Sequence, residues 1–557
     1  MKRIFLFISF ICFFSAIDLF SQEMENVVIH RDKSFYVAGE TIWYKAYFPE
    51  KPVKSRILHV EIIHPEGKSV YHQKLKIEDN QAFGEIDIPA DWASGLYTLR
   101  VYTLWNLNFP DQFIFQQELP IYAKDENSPH SYSKLNQEKS VQSEKVNIDL
   151  HINPPVPSRR EVVKINLKVT DNSGKPVKAN MSVSVVDQRF TGSLSSVSQQ
   201  VEEMEKLPSS AKSTGTFSYQ KKLMVEGTAW EENSEKLLES NYFIIWSVED
   251  IKPTWTEVKQ GKFLVELDDF TGNKTLQIHD FSPFRSRNPK VKLWSTESIP
   301  PIKPLAVNEL SEAKTAGEYL NLTQKRDLLK VVFQLESPID PPPIQDSLTS
   351  PFSPDKAYFL DKYIPFSSLE SFIGEGMPWV SVRMVNGQKT IMMENYDTKD
   401  VFELPPLFLI DHYLSFNNQE MLKLPWKSLR YIEQFMRTKT LEDQFGLLGR
   451  FGVLSMYTRS GVPNPKFYEK ENTFIFQGFH EPAKFPAPDF MENMYSKDKV
   501  PDFRSTIFWN PEVNTDENGQ AEVRFIHLDT RGEFEVRIEG RTEKGEIFSQ
   551  TAKYRVN

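Results

Sequence analysis

The chain has almost no cysteine: Cys12 is the only one in 557 residues. A disulfide scaffold is therefore excluded, because Cys12 has no partner within the chain. Positive charge is in short supply too, with 66 Lys and Arg against 76 Asp and Glu and a formal net charge of −10. That balance supplies no general electrostatic drive toward nucleic acid or an anionic membrane. The strongest apolar run, Ile4 to Ile17, is 14 residues, short of the roughly 18–20 that span a bilayer as a helix. Glycine is outnumbered by proline, 23 to 36, while 41 Phe and 20 Tyr are present. Such aromatic content excludes collagen-like and wholly disordered chains, and favours strands joined by stiff connections.

What is present begins with an export signature. Met1-Lys2-Arg3 precedes the apolar run and Ser21-Gln22 follows it, the pattern of a secretory signal cut near Ser21. Residues 1–21 are thus expected to be removed, and Cys12 with them. Phe10-Ile11 before Cys12 do not suit a lipidation box, which needs small residues there. The mature chain is expected to be exported, to the periplasm, outer membrane or cell surface, without a transmembrane helix.

Residues 26–124 carry seven short alternating runs, the density of a β-sandwich. Residues 125–145 are polar and read as a linker. Residues 146–222 read as a β segment ending in a mobile Ser-, Gln- and Glu-rich insertion, with helical tendency around VEEMEKL. Residues 223–294 read as a further β domain. Residues 295–354 are proline-rich, with Pro341-Pro342-Pro343 at their densest, and read as an extended linker. A small α/β module follows at 355–461, then an extended linker at 462–500. Residues 501–557 are β again, with hairpins expected at Asp516-Glu517-Asn518-Gly519 and Thr542-Glu543-Lys544-Gly545. Thr170-Asp171-Asn172-Ser173-Gly174 echoes Thr515-Asp516-Glu517-Asn518-Gly519. The fold class is mainly β: tandem immunoglobulin-like sandwiches plus the α/β module.

Two stretches resemble known families. Arg31-Asp32-Lys33, Tyr36 and Gly39-Glu40-Thr41, closing with Gly95-Leu96-Tyr97-Thr98-Leu99, are similar to an alpha-2-macroglobulin-type sandwich, with Ala38 where that family has Pro. Residues 158–187 and 505–540 resemble further macroglobulin sandwiches. Leu407-Phe408-Leu409-Ile410-Asp411 and Gly446, Gly449, Gly452 through Tyr457 resemble the plug domain of TonB-dependent receptors, with His412 where Gly is usual. Residues 223–270 resemble a carboxypeptidase-regulatory-like domain. The combination resembles a group of exported Bacteroidetes proteins. Without a mature cysteine the macroglobulin thioester cannot form, and the 96 residues after Gly461 are too few for a large receptor barrel.

Catalytic and metal patterns are scarce. The ten histidines form no HExxH, and no CxxC is available. His59 and His64 are expected on opposite faces of a strand, with histidines in general at surfaces or sandwich edges. Asn514 to Gly519 opens like a calcium loop, but Phe525 occupies the position that needs a bidentate Glu. The spacing of Gly446, Gly449 and Gly452 precedes a strand, not the helix a dinucleotide site needs. Trp105, Trp379 and Trp426 are candidates for a recognition face.

The expected function is non-enzymatic, without cofactor or metal. The sandwiches would form a scaffold, and the barrel-less module would dock to a protein partner such as an outer-membrane barrel or channel. The expected contact residues are Phe408, Asp411, Trp426, Gly446, Gly449, Gly452 and Tyr457. The alternatives are a thioester-free protease trap with bait at 191–222 or 325–354, and a hydrolase or glycan-binding protein.

Overall fold

The computed structural model describes residues 24–49, 52–125, 146–191, 194–207, 215–239, 241–281, 289–294, 314–332, 351–468, 470–486 and 502–557, with isolated stretches at 130–131, 213 and 310–312. The expected signal at 1–21, most of the 125–145 linker and the prolines from Pro338 to Pro343 lie outside the described residues. The architecture is tandem β-sandwiches with one small α/β module.

The first sandwich pairs a three-stranded sheet (Val28–Arg31, Thr41–Tyr47, Gln81–Asp87) with a five-stranded one (Tyr36–Val37, Phe115–Tyr122, Gly95–Tyr102, Ile57–Ile63, Ser69–Lys76). Ile29, Ile42 and Tyr44 meet Leu58, Val60, Ile62 and Leu99 between the sheets. Gly95–Tyr102 and Ile57–Ile63 are buried at every residue, because neighbouring segments also cover their outer faces. Glu61 and Arg100 form a buried ion pair there.

The second sandwich is assembled from both ends of the chain. Val146–Asn153, Val162–Asp171 and Gln520–Ile526 form one sheet. Thr506–Asn514, Ala179–Asp187, Gly532–Thr542 and Ile547–Val556 form the other. Residues 146–190 and 501–557, separate segments in the sequence reading, share one core in which Val163, Ile165 and Leu167 face Val536, Ile538 and Phe548.

This pairing also corrects the expected hairpin at 516–519. Thr506–Asn514 pairs with Ala179–Asp187, whereas Gln520–Ile526 pairs with Val162–Asp171. The turn therefore carries the chain from one sheet to the other, and so does its echo at 171–174. Both corners are built alike. Asp171 Oδ1 accepts from the backbone N–H of Ser173 and Lys175, and Asp516 Oδ1 from those of Asn518 and Gln520. The turn at 542–545 does close a hairpin, between Gly532–Thr542 and Ile547–Val556.

Gly519 takes φ +70°, and a Cβ there would lie 2.3 Å from the Val169 carbonyl oxygen. Gly519→Ala is therefore expected to cost at least about 2 kcal/mol, from the left-handed conformation plus the clash. Urea unfolding checks this; Gly174→Ala, where nothing lies within 4 Å, should cost less.

A third sandwich sets Leu223–Trp230, Lys262–Leu267 and Lys290–Leu293 against Lys252–Val258, Asn241–Ser247, Asn273–Asp280 and Thr473–Gln477. Its last strand returns after the α/β module, so 462–500 is not wholly an extended linker. Phe474 and Phe476 pack onto this sandwich's core.

Two helices depart from expectation. α1 (Val197–Glu205) lies in the supposed mobile insertion, yet the Gln200 amide bonds to both the N–H and C=O of Ile29 at 2.8 Å. α2 (Lys314–Val332) lies in the supposed proline-rich linker. No proline falls between Pro304 and Pro338, and α2 carries four Leu, three Lys and one Arg, all good helix formers.

The module has a mixed five-stranded sheet in the order Lys356–Phe359, Leu429–Phe435, Val453–Thr458, Leu407–Ile410, Tyr413–Ser415. It adds α3 (Leu369–Gly376), α4 (Asn418–Leu422), α5 (Thr438–Phe445) and the hairpin Val380–Val385/Gln388–Met393.

Candidate functional site

The macroglobulin-like motif becomes a buried polar junction. Asp32 is 3% exposed and accepts from the Tyr36 hydroxyl at 2.6 Å, the Trp43 N–H at 3.1 Å and the Thr506 hydroxyl at 2.6 Å. Lys33 Nζ donates to Glu40 Oε2 at 3.1 Å, the Tyr319 hydroxyl at 2.8 Å and the Ser505 hydroxyl at 3.3 Å. Glu40 also accepts from Tyr319 at 2.6 Å, from the Val37 N–H at 3.0 Å and from Arg326 at 3.4 Å. One cluster thus joins the first sandwich, α2 and the strand that opens the C-terminal segment.

Burial alone would raise the Glu40 carboxyl. Lys33, Arg326 and the hydrogen bonds from Tyr319 and Val37 outweigh it and hold the group down at about 2. Burial likewise opposes the charged form of Lys33, but Glu40 and Tyr319 push its amine above the usual range. Phe35, Val37, Tyr122, Phe190 and Leu320 surround Tyr319 and keep water out.

A second polar layer fixes the first sandwich to the second. His30 sits between the Ser182 hydroxyl at 2.6 Å and that of Ser184 at 3.3 Å, and packs on Trp509. Lys45 donates to Asn180 and to the Pro511 carbonyl. Burial pushes its amine down to about 7, against a small opposing pull from Glu512. The Tyr47 hydroxyl bonds Ser182 and the Glu539 carbonyl. His30 is 2% exposed, so no substrate reaches this Ser–His arrangement.

Glu539, 1% exposed, receives the Val197 N–H at the start of α1 and the Ser549 hydroxyl. Burial, only partly offset by Arg537 and these bonds, pushes its carboxyl up to about 7. The folded chain keeps a proton there that the unfolded chain releases near 4.5. Stability from this group is therefore present below that range and lost as pH rises through 7. The Glu539→Gln variant is expected to remove that slope, worth up to about 3 kcal/mol between roughly pH 5 and pH 7.5. Urea midpoints at the two pH values check it. Lys45 acts in the opposite sense above pH 7, so Glu539→Gln should leave the alkaline limb unchanged.

The module's expected contact residues are mostly interior. Phe408 is 1% exposed, Tyr457 0%, Asp411 3% and Trp426 7%. Trp426 packs on Phe372 and Phe366, and the Tyr457 hydroxyl donates to Glu433 at 2.8 Å. Gly452 is buried at φ +92°, with Met393 where a Cβ would point, and Gly449 is buried against Phe445. Gly446 is exposed and ends α5. Apolar and glycine patterning marked the module's core, because it records burial whether the cover comes from a partner or from the same chain.

Asp411 and His412 form the two-residue turn joining Leu407–Ile410 to Tyr413–Ser415, with φ +45° and +71°. A left-handed position is where glycine costs least, which accounts for the glycine expected at 412. Asp411 compensates by accepting from the Thr458 N–H at 2.7 Å and from its hydroxyl. The Trp246 indole of the third sandwich donates to the His412 carbonyl at 2.8 Å, and Gln277 bonds both the N–H and C=O of Leu414. Leu407, Leu409, Phe435 and Val453 pack against Trp246, Val248 and Ile251. One face of the module's sheet is thus clamped to this chain's own sandwich. Asp411→Ala should cost about 1–3 kcal/mol by orphaning the Thr458 N–H, read as a lower unfolding midpoint.

The histidine expectation also needs correction, since His30, His59, His412 and His527 are all buried. His59 meets His72 across paired strands, Nδ1 to Nε2 at 3.0 Å, with Gln220 on its other nitrogen. Burial pushes His59 and His412 down to about 4, so both are neutral. Trp105 is buried, and Trp379 is covered by Lys399 at 4.2 Å. Among the described residues no three His, Cys, Asp or Glu side chains converge as metal ligands, and no helix is long and apolar enough to cross a membrane.

No family model and no curated protein matches the chain. Among solved structures it is similar to native Escherichia coli alpha-2-macroglobulin, at 10% identity and TM-score 0.25, covering 96% of this chain and 40% of that one. Methylamine-reacted Salmonella alpha-2-macroglobulin gives 9%, 0.24, 95% and 39% on the same measures. A putative membrane anchored protein from Corynebacterium diphtheriae gives 11%, 0.15, 51% and 62%. The chain spans about two fifths of the macroglobulins' length. At these identities and TM-scores the likenesses transfer no role.

Proposed function

We propose that the chain is an exported, non-enzymatic scaffold that presents its plug-like module to a protein partner in the bacterial envelope, an outer-membrane barrel or channel being the expected class. The observation that carries this reading is the clamp. Trp246 and Gln277 hold the module's turn and edge strand to the third sandwich, while other parts of the module stay open. Met384 and Leu447 are 66% and 64% exposed. A module fixed in orientation with exposed apolar side chains binds with less loss of freedom than one on a flexible tether.

Co-purification from detergent-solubilised outer membranes tests the reading. The intact chain is compared with one carrying aspartate at 384 and 447, and with a control carrying aspartate at the exposed Val70 and Leu264 of the sandwiches. Loss of the partner only in the module variant is expected. An unchanged partner set in that variant removes the proposal.

A further inference from the structure

The module's sheet ends on one side at Lys356–Phe359, which pairs only with Leu429–Phe435 among the described residues. The edge and the chain just beyond it are apolar and open. Phe359 is 51% exposed, Tyr363 38% and Ile364 86%. Phe359 is backed by Tyr431, with ring centroids 4.7 Å apart, so it presents a supported ring rather than a loose side chain. Exposed apolar edges in folded proteins either invite strand pairing or are blunted by charge.

The charge here is one-sided. Lys356, Lys362, Arg430 and Arg459 surround the edge with Asp361 as its exposed acid, while the carboxylates of Asp355 and Glu433 are buried against Arg437 and the Tyr457 hydroxyl. Lys362 lies over the Phe359 ring at 4.8 Å, and Arg459 pairs with Asp361 at 2.5 Å. This cationic rim stands out on a chain whose overall charge is −10. A groove of about 640 Å³ adjoins Ser428, whose carbonyl accepts the Arg459 N–H; Glu420, paired with Lys423, lines it together with Ser428, Thr458, Ser460 and Lys466.

We propose that this edge and groove are the docking site for an extended, acidic segment of another protein. Its apolar side chains cover Phe359 and Ile364. Its main chain runs beside Lys356–Phe359. Its carboxylates meet Lys356, Lys362 and Arg459. An anionic lipid or nucleic acid would use the cations but has no polypeptide main chain to pair with the open edge of Lys356–Phe359. The proposal rests on the presentation reading above and names the partner chemistry for it.

The test is a displayed random short-peptide library selected on the full chain, with affinities of the enriched peptides measured by fluorescence anisotropy. Enrichment of peptides with apolar centres and acidic flanks is expected. Their binding should weaken at least about tenfold in Phe359→Asp and in Arg459→Glu, and fall with added salt. Circular dichroism and the urea midpoint establish that each variant is folded, and Ile364→Asp, at a position 86% exposed, repeats the test where folding is least at risk. No enrichment, a neutral or basic consensus, or binding indifferent to all three variants overturns the site. If the acidic peptides fail while the module still captures its envelope partner through Met384 and Leu447, only this site falls. If both fail, the presentation reading falls with it.

Discussion

Glu40→Ala is expected to lower the stability of the folded chain by roughly 3–5 kcal/mol, the largest effect of any single polar change here. The carboxylate is 7% exposed and accepts from Lys33, Tyr319, Arg326 and the Val37 N–H. Its removal leaves the Lys33 ammonium buried without a carboxylate in contact and strands a backbone donor. A buried charge that loses its partner is costlier than the pair was favourable. Accordingly, Lys33→Met combined with Glu40→Gln should recover most of the loss, because no uncompensated charge remains.

Tyr319→Phe, which keeps the ring and loses only the hydroxyl, should cost about 1–3 kcal/mol. The cluster joins three segments far apart in sequence, so hydrogen exchange should rise in α2 and near Ser505 as well as in the first sandwich. A loss confined to the first sandwich would show that the junction is local. Acid acts on the same group. Glu40 is held at about 2, below its ordinary 4.5, so its contribution is complete above 4.5 and is lost as pH falls toward 2.

Trp246→Ala is expected to uncouple the module. The indole is fully buried, packs with Leu407, Leu409 and Phe435, and donates to the His412 carbonyl. Truncating a buried tryptophan costs about 3–5 kcal/mol through lost burial and the cavity left behind. Here the carbonyl of a left-handed residue also loses its donor. The module's own core, built around Phe372, Ile391, Ile432 and Met456, does not include Trp246. The expected outcome is therefore a second unfolding transition, with faster amide exchange in Leu407–Ile410 and Val453–Thr458 while the first sandwich is unchanged. A single transition shifted as a whole would show that module and sandwich fold as one unit.

Much of this fold was legible from residues. Alternation in Val162–Asp171 shows on the page, and so do the turn chemistry of Asp171 and Asp516 and the apolar run at Leu407–Ile410. Pairing partners did not show. Alternation tells a strand which face is inward, not which strand lies beside it. The union of 146–190 with 501–557, and the return of Thr473–Gln477 to the third sandwich, were hidden for that reason. α2 was missed because prolines at either end coloured the composition of a window whose middle has none. The buried junction was visible as a motif in Asp32, Lys33, Tyr36 and Glu40. Its partners Tyr319, Arg326 and Ser505 carry no local signal. Of the module's seven expected contact residues all but Gly446 are buried in this chain, since apolar and glycine patterning marks burial of any origin.

In the proposed function, an interlocked sandwich framework presents a clamped module to an envelope partner. Crosslinking the intact chain in its native envelope, with every linked residue mapped by mass spectrometry, tests it most directly. Links are expected within the chain between residues 26–124 and 501–557, and between 241–281 and 405–416. Links to one partner are expected to concentrate on exposed positions of 355–461. Partner links confined to the sandwiches, or an absence of the intrachain links, would contradict it.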